Sequence, residues 1–345
     1  MRIISTLAVA LGPIVLGPIA LGSAACAPIA ADAPTTSDAV AQNGTLFVAN
    51  KFGNTLSKID LASGEEVLRV ESCTTPHELA TSPDGAHVAL ACYGGTSVDI
   101  FRTDDLVRVK SVELGANARP HGIVWHANGA LYATAEGRRS VFWIRDPLGE
   151  TETFEYGTGQ EGSHMLAISP DARHAWTVDM GSGTVTLVDL LTRRAPQSVA
   201  VGVEPEGIDL APDGRTLWVS ARGSDKAFAL DPMNLEIRSE LATGAFPLRL
   251  AIRPQGDVAV TSDLADGGLT VIDLESAQPI RSIAVSGPEG AQERMQVTVV
   301  WSQDGERIYV AETGEDTVAE VDYASGRVLR RLVAGDGGDG LAILP

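Results

Sequence analysis

Residues 205–244 read PEGIDLAPDGRTLWVSARGSDKAFALDPMNLEIRSELATG. This stretch contains four short apolar runs, and a Pro-Asp-Gly turn joins the first run to the second. The third run ends in Asp and a turn-rich tail, and the fourth alternates apolar with polar residues. No run has helical periodicity, so the stretch predicts one unit of four short strands.

The same unit recurs along the chain. We call the residue eight places before the turn glycine, or before its equivalent, the anchor of the unit. Successive anchors are 44, 43, 42, 42, 49 and 42 residues apart. The seven anchors are His77, His121, His164, Glu206, Leu248, Val297 and Asp339. Seven units of this period, each with a Gly or Pro turn in its middle, predict a β-propeller and exclude a helical solenoid.

The two ends of the chain share one unit. Residues 44–70 contain runs two, three and four without run one, and residues 340–345 contain run one alone. Pairing of these segments would close the ring without an open edge. The sequence therefore predicts an all-β, seven-bladed β-propeller with four-stranded blades, closed by N-terminal strands two to four and C-terminal strand one.

The units resemble those of the YVTN-repeat β-propellers. LFVAN (46–50) is similar to the YVTN strand, VTLVDL (185–190) and LTVIDL (269–274) to the VSVID strand, and PHGIVW (120–125) and PEGIDLAPDG (205–214) to the PxGIAVSPDG strand. The resemblance covers about residues 44–345 and implies a seven-bladed propeller. It implies little about activity, because propellers of related shape include binding proteins, lactonases, streptogramin-cleaving lyases and copper oxidoreductases.

The N-terminal residues 1–25 are predicted to be a signal peptide, with one Arg, an apolar stretch and small residues at the end. Cys26 follows GSAA, as in a bacterial lipoprotein signal, although Ser23 stands where Leu is usual. Lipidation of Cys26 and simple cleavage nearby both remain open. Residues 26–43 would form a flexible tether and 44–345 the propeller. We expect a bacterial periplasmic protein or an outer-membrane-anchored lipoprotein that touches membrane only through the lipid.

The net charge of −19 argues against nucleic acid and anionic membranes as partners. We expect a monomer whose partner is a small molecule or a protein at the channel mouth. Cys73 and Cys92 are expected at the same edge of one blade, where a disulfide suits an exported protein; free thiols or a thiolate ligand are the alternatives.

The anchors begin seven inner strands at one end of the central channel, and each returning strand should end at the same face 15 residues later. Those later positions are Asn50, Cys92, Glu136, Asp179, Ala221, Asp263 and Glu312. Together the two rings predict a polar mouth rich in imidazoles and carboxylates.

The candidate site residues fall into three groups. The metal ligands would be His77, His121, His164, Glu206 and Asp179, for zinc, copper, iron, manganese or calcium. The ligand-binding residues would be Arg249, Asp263, Glu312 and Asp339, and the catalytic candidates are Glu136 and Glu206. Ordinary repeat-consensus polar residues, and salt bridges from Arg222 or Arg249 to Glu206, are the alternatives.

One loop is longer than its counterparts, over residues 286–296, and could be a lid or an insertion without consequence. Two functions remain open: a binding or interaction protein that holds a ligand or metal at the mouth, and a metal-dependent enzyme with lactonase-, lyase- or oxidoreductase-like chemistry. Whether the protein is an enzyme is not decided by the sequence.

Overall fold

The computed structural model describes residues 42–345, so the predicted signal peptide (1–25), Cys26 and most of the predicted tether (26–43) lie outside the described residues. Within 42–345 the chain forms seven four-stranded sheets, which are the blades of the predicted propeller. No helix in this part of the chain is long and apolar enough to span a membrane.

The first fifteen strands are β1 Thr45–Asn50, β2 Thr55–Asp60, β3 Glu65–Glu71, β4 Pro76–Thr81, β5 His87–Cys92, β6 Ser97–Arg102, β7 Arg108–Glu113, β8 Pro120–Trp125, β9 Leu131–Ala135, β10 Ser140–Arg145, β11 Glu152–Gly157, β12 Ser163–Ile168, β13 His174–Asp179, β14 Thr184–Asp189 and β15 Gln197–Ala200. The remaining strands are β16 Pro205–Leu210, β17 Leu217–Ala221, β18 Lys226–Leu230, β19 Ile237–Ala242, β20 Pro247–Ile252, β21 Val258–Asp263, β22 Gly268–Asp273, β23 Gln278–Ala284, β24 Gln296–Trp301, β25 Arg307–Glu312, β26 Thr317–Asp322, β27 Arg327–Val333 and β28 Gly338–Leu344. Blades 2 to 7 take four consecutive strands each, from β4 to β27.

Blade 1 closes the ring as predicted. Its strand order is β28-β1-β2-β3, with β28 antiparallel to β1. Thr45 pairs with Leu344 and Val48 with Leu341. The C-terminal strand is therefore the innermost strand of the blade that the N-terminal segment begins, and main-chain hydrogen bonds join the two ends of the propeller.

Recurring side-chain hydrogen bonds stabilise the turns within each blade. In the hairpin between β4 and β5, the Ser82 hydroxyl donates to Asp84 at 2.5 Å and accepts the His87 amide at 2.9 Å. At the end of β14, the Asp189 carboxylate accepts the Thr192 amide at 2.8 Å. These are local Asx- and Ser-type turns, which explains why the repeat could be recognised from short motifs.

Glycines next to the anchors let neighbouring inner strands approach closely. A Cβ atom on Gly122 would lie 2.8 Å from the His164 carbonyl oxygen, and one on Gly340 would lie 1.9 Å from the His77 carbonyl oxygen. Only glycine fits at such a distance. These residues therefore bring the anchors of adjacent blades together around the channel.

The long loop at residues 286–296 forms the helix α1, Gly287–Arg294, with Pro288 in its first turn. The helix packs on the end of β25, where the Gly314 amide donates to the Arg294 carbonyl at 2.9 Å. None of its residues lines the channel-mouth cavity described below.

Candidate active site at the channel mouth

The seven anchor residues line one cavity of about 270 Å³ at the end of the central channel. Around the ring they are Asp339, His77, His121, His164, Glu206, Leu248 and Val297. Blades 1 to 5 thus contribute titratable side chains, whereas blades 6 and 7 contribute aliphatic ones. Each anchor occupies the same backbone position in its blade, so the chemical difference comes from the sequence alone.

The second ring of side chains around the cavity lies one position further along the chain than the sequence predicted, except in blade 3. In most blades the residue before the anchor pairs with a residue 16 positions later, as Pro76 does with Cys92. The side chains that reach the cavity follow that partner and are Lys51, Tyr93, Met180 and Arg222. In blade 3, Pro120 pairs with Ala135, so the hairpin is one residue shorter and Glu136 faces the cavity as predicted. A one-residue shift along a strand reverses the face to which a side chain points.

Asp179, predicted as a metal ligand, lies inside blade 4 instead of in the cavity. Its carboxylate accepts hydroxyl hydrogen bonds of 2.6–3.0 Å from four residues, which are Ser163, Thr177, Thr184 and Thr186. Both carboxylate oxygens accept hydrogen bonds from side chains of blade 4. Asp179 therefore is not placed to bind a metal held by the anchor histidines.

Asp263 and Glu312, predicted as ligand-binding residues, are also held within their blades. Asp263 accepts from the Thr261 and Thr270 hydroxyls, each at 2.7 Å, and burial raises its pKa to about 6. Glu312 accepts from Arg331 at 2.8 Å. Neither lines the cavity, whereas the predicted Arg249 and Asp339 do.

The three anchor histidines form a stack along one wall of the cavity. The ring centroids of His77 and His121 are 4.2 Å apart and those of His121 and His164 are 3.6 Å apart. The planes are inclined by 41° and 31°, respectively. Nitrogen lone pairs lie in the ring plane, so rings stacked in this way do not direct three nitrogens at one point as a tetrahedral metal centre requires.

A different trio has the spacing of a metal site. One ligand atom each from His77, Glu78 and His121 lie within 4.8 Å of one another. Glu78 follows His77 on β4 and was not singled out by the sequence analysis. Imidazole and carboxylate ligands together suit zinc, iron or manganese.

The two most buried histidines have opposite pKa shifts. Burial disfavours the charge on His164, but contacts of Nδ1 with Glu136 (3.6 Å) and of Nε2 with Glu206 (3.4 Å) raise its pKa above the usual value. Burial lowers the pKa of His121 well below that value, and the neighbouring His164 and His77 lower it further. Two stacked imidazoles therefore have pKa values that their surroundings shift in opposite directions.

Each cationic side chain of the cavity is paired with a carboxylate. Lys51 contacts Asp339 at 2.8 Å, and Arg222 contacts Glu206 at 2.5 Å. Burial favours the neutral form of Glu206, but the arginines and His164 outweigh it and lower the pKa to about 2.

Arg249 lines the cavity and forms ion pairs with residues of two other blades. Its guanidinium contacts Glu206 of blade 5 and lies 2.8 Å from Glu78 of blade 2. The Arg249 side chain is only 5% exposed. Because the residue belongs to blade 6, the ion pairs connect three blades across the channel.

Within the part of the chain that the structure describes, two buried polar atoms of the cavity have neither a hydrogen bond nor an ion-pair contact, and they are Nδ1 of His121 and Nε of Arg249. The other buried nitrogen and oxygen atoms of the cavity side chains lie within ion-pair distance of an oppositely chargeable group, such as Oδ2 of Asp339 beside Lys51. Buried polar groups are normally satisfied, so the two remaining atoms indicate a place for a ligand or ordered water.

The edge of the cavity is held by a disulfide between Cys73 and Cys92, whose Cα atoms are 5.6 Å apart. Tyr93 follows Cys92, and its ring packs edge-on against His77 and His121 at centroid distances of 5.1 and 5.4 Å. Burial, followed by the nearby Glu136, raises the pKa of Tyr93 to about 12. The disulfide therefore fixes the strand ends that position the histidine stack.

Lys51, Tyr93, Met180 and Glu78 are the cavity and channel residues that the sequence analysis missed. The length of the hairpin between the first and second strands of each repeat could have identified Lys51, Tyr93 and Met180. Residues 85–92 read GAHVALAC, whereas residues 129–135 read GALYATA, one residue shorter after the turn glycine. Aligning the second strand of each repeat on its apolar run, instead of counting 15 residues from the anchor, would have moved six of the seven predicted cavity positions by one residue.

Solved structures with this fold have diverse sequences. Virginiamycin B lyase from Staphylococcus aureus is 16% identical, with a TM-score of 0.64 over 79% of this chain and 89% of that chain. A functionally unknown protein from Desulfotomaculum acetoxidans is 12% identical, with a TM-score of 0.68 over 87% and 99%. The dihydro-heme d1 dehydrogenase NirN is 14% identical, with a TM-score of 0.62 over 87% and 75%. At these identities the likeness extends to the fold alone.

Comparison with curated proteins found no match. A family model described as "Lactonase, 7-bladed beta-propeller" matches residues 31–278, well over half of the chain. This match supports the seven-bladed architecture that the resemblance to YVTN-repeat propellers implied. It does not identify the repeats as YVTN repeats. The chain belongs to the family of seven-bladed β-propeller lactonases.

Proposed function

We propose that the channel-mouth cavity is the active site of a hydrolase that opens a cyclic ester, with His121 as general base and His164 as general acid. The observation that carries the proposal is the stacked pair of imidazoles with opposite pKa shifts. Adjacent titratable groups whose environments separate their pKa values are suited to act as base and acid at one pH. Family membership favours the ester over other substrates.

The reaction needs two proton transfers, and the two histidines supply them. Neutral His121 accepts a proton from water as the water oxygen bonds to the ester carbonyl carbon. The ring carbon–oxygen bond then breaks, and His164 donates its proton to the departing alkoxide. Glu136 and Glu206 raise the pKa of His164 and so favour its protonated form before the reaction. The product is a hydroxy acid, and exchange with solvent restores both imidazoles.

The unpartnered atoms of the cavity support a polar substrate. Nδ1 of His121 and Nε of Arg249 are buried without a partner, and an ester with its attacking water offers both donors and acceptors. The disulfide and the Arg249 ion pairs support a rigid site, because they fix a strand end and connect three blades around the cavity.

The test is hydrolysis of a panel of γ- and δ-lactones, followed by the proton released at constant pH. We expect kcat/KM of the wild-type protein to fall by about 10²–10⁴-fold in His121→Ala and in His164→Ala, the usual range for general acid–base catalysis. His174→Ala, at the opposite face of the propeller, is the matched control and should retain wild-type activity. Equal activity in all three variants, or no hydrolysis by the wild type, would overturn the proposal.

A second candidate function is metal binding by His77, Glu78 and His121, which the spacing of their ligand atoms supports. A metal at this position would polarise a carbonyl oxygen or activate water. The measurement is elemental analysis of untagged protein purified from the native compartment. Glu78→Gln and His121→Ala should each lower the bound metal, whereas Asp179→Asn should not. Loss of metal only in Asp179→Asn would contradict this set of ligands.

We also propose that the protein is exported to the bacterial envelope. The N-terminal 26 residues support a secretory signal, and the disulfide between Cys73 and Cys92 suits an oxidising compartment. Mass spectrometry of the native protein should find a mature N-terminus near Cys26, and a diacylglyceryl mass on Cys26 would identify a lipoprotein. An intact Met1 would exclude cleavage of the signal.

A further inference from the structure

The cavity has two chemically different walls. Opposite the histidine stack, Leu248 of blade 6 and Val297 of blade 7 occupy anchor positions. The same backbone position holds His or a carboxylate in the other five blades, so the repeat itself does not require an aliphatic residue there. Leu248 and Val297 line the cavity and also pack in a core cluster with Leu341. An apolar surface inside a polar cavity is useful for contact with an apolar part of a ligand.

The charges of the cavity do not favour an anionic ligand. Among the described residues, Lys51, Arg222 and Arg249 line it and each is already within 2.8 Å of a carboxylate, while His164 lies between Glu136 and Glu206. Glu136, Glu206 and Asp339 also line the cavity. A phosphate or carboxylate on the substrate would meet these three acidic side chains and would have to displace one of them to gain a cation.

The size of the cavity limits the ligand further. Its volume of about 270 Å³ lies just below the roughly 300–1,000 Å³ typical of sites for drug-sized molecules. The space suits a single small ring with a short substituent.

We infer that the substrate is a neutral, amphipathic lactone whose short apolar substituent packs on Leu248 and Val297 while its ester faces His121 and His164. This inference rests on the hydrolase function proposed above and names its substrate class. Hydrolysis converts the neutral ester into a carboxylate, because the new acid ionises at neutral pH. The acidic side chains that disfavour anionic substrates then also favour release of the product.

Two series of compounds test the inference separately from the catalytic function. The first is a set of γ-lactones with a hydrogen, a propyl, a pentyl or a carboxylate substituent on the same ring carbon, assayed for hydrolysis. The second is the matching set of γ-lactams, which resist hydrolysis under these conditions, assayed for binding by calorimetry. We expect the propyl compound to exceed the unsubstituted one at least tenfold in both kcat/KM and affinity, and the carboxylate compound to be the weakest.

Variants of the apolar wall locate the effect. Leu248→Asn and Val297→Thr should bring the propyl-to-hydrogen ratio close to one, while Val67→Thr, an exposed valine on an outer strand, should keep the wild-type ratio. Circular dichroism and thermal melting of each variant show whether it is folded. If Leu248→Asn fails to fold, Val297→Thr, which changes volume least, carries the test.

The outcomes distinguish the two proposals. Lactam binding that favours the propyl compound, without lactone hydrolysis, would reject the hydrolase function and support the ligand class. Hydrolysis with equal rates across the series, or preference for the carboxylate compound, would overturn the ligand class and leave the hydrolase function in place. Absence of lactam binding in every case would overturn the ligand class as well.

Discussion

Asp179 and Glu136 each stand 15 residues after an anchor histidine, yet only one of them belongs to the site. Asp179 is fully buried and accepts four hydroxyl hydrogen bonds within its own blade. Glu136 lies at the cavity with Oε2 3.6 Å from His164 and no hydrogen-bond partner for that oxygen. The difference shows that the local register and the partners of a carboxylate, and not its place in a repeat, decide whether it is held within a blade or faces the cavity.

Glu206 shares features with both of these carboxylates. It faces the cavity beside His164, and two arginines also hold its charge. Its side chain is only 5% exposed, so its ion pairs are shielded from water. Asp179 is therefore held entirely within its blade, Glu206 has partners both in the cavity and among the arginines, and Glu136 contacts mainly cavity residues.

The largest effect is expected for Glu206→Leu. This change leaves Arg249 and Arg222 with fewer partners at a buried site, and removal of one member of a buried ion pair typically costs about 3–5 kcal/mol. Urea unfolding should show this loss of stability, together with loss of activity. Glu240→Leu, which breaks an exposed pair with Lys226, should cost about 0–1 kcal/mol. A similarly small loss for both variants would mean that the arginines find other partners.

Asp179→Ala should lower stability by about 2–3 kcal/mol, because four hydroxyl groups lose their acceptor inside blade 4. Ligand binding at the mouth should be retained, since the side chain does not reach the cavity. Asp179→Asn keeps one accepting oxygen and should lose less stability than the alanine variant. If ligand binding weakens in step with stability across these two variants, the carboxylate has a role at the mouth after all.

Glu136→Gln should show the opposite behaviour. The loss of unfolding free energy should stay below about 1 kcal/mol, because the carboxylate is partly exposed and makes no backbone hydrogen bond within its blade. The pKa of His164 should fall, since one of the two acceptors that raise it becomes neutral. Proton NMR titration of the histidine Cε1–H signals measures that change, and an unaltered His164 titration would remove Glu136 from the proposed mechanism.

The smallest expected effects are changes of activity with pH. If His121 must be neutral and His164 charged, activity should fall as His121 gains a proton, below the ordinary histidine pKa of 6.5, and again as His164 loses one, above 6.5. A profile of kcat/KM with a single limb would contradict the assignment of two roles.

The free energy of unfolding should also depend on pH through His164 and His121, in opposite directions. The raised pKa of His164 contributes stability that is complete below 6.5 and is lost as pH rises through the folded-state value. The lowered pKa of His121 removes stability as pH falls below 6.5, because the unfolded chain then binds a proton that the folded chain does not. Unfolding titrations of the two alanine variants at several pH values separate these contributions.

The sequence alone determined the features that depend on local structure. The Pro-Asp-Gly turns, the Asx turns after the third strands and the spacing of about 42 residues are all contained within single repeats, and they identify seven blades, the closure of the ring and the anchor of each inner strand. Because each repeat forms mainly from contacts between residues close in sequence, these features can be derived one unit at a time.

The tertiary structure decided how the site is assembled. A hairpin shorter by one residue in blade 3 directs Glu136 into the cavity, whereas the longer hairpin of blade 4 directs Asp179 into the sheet. The stacking of the three imidazoles depends on the width of the closed ring, and Arg249 meets Glu78 across 171 residues of chain. Contacts of this kind exist only after all seven blades have closed, because no single repeat contains both partners; the chemistry of the mouth therefore follows from ring geometry that the repeat pattern does not specify.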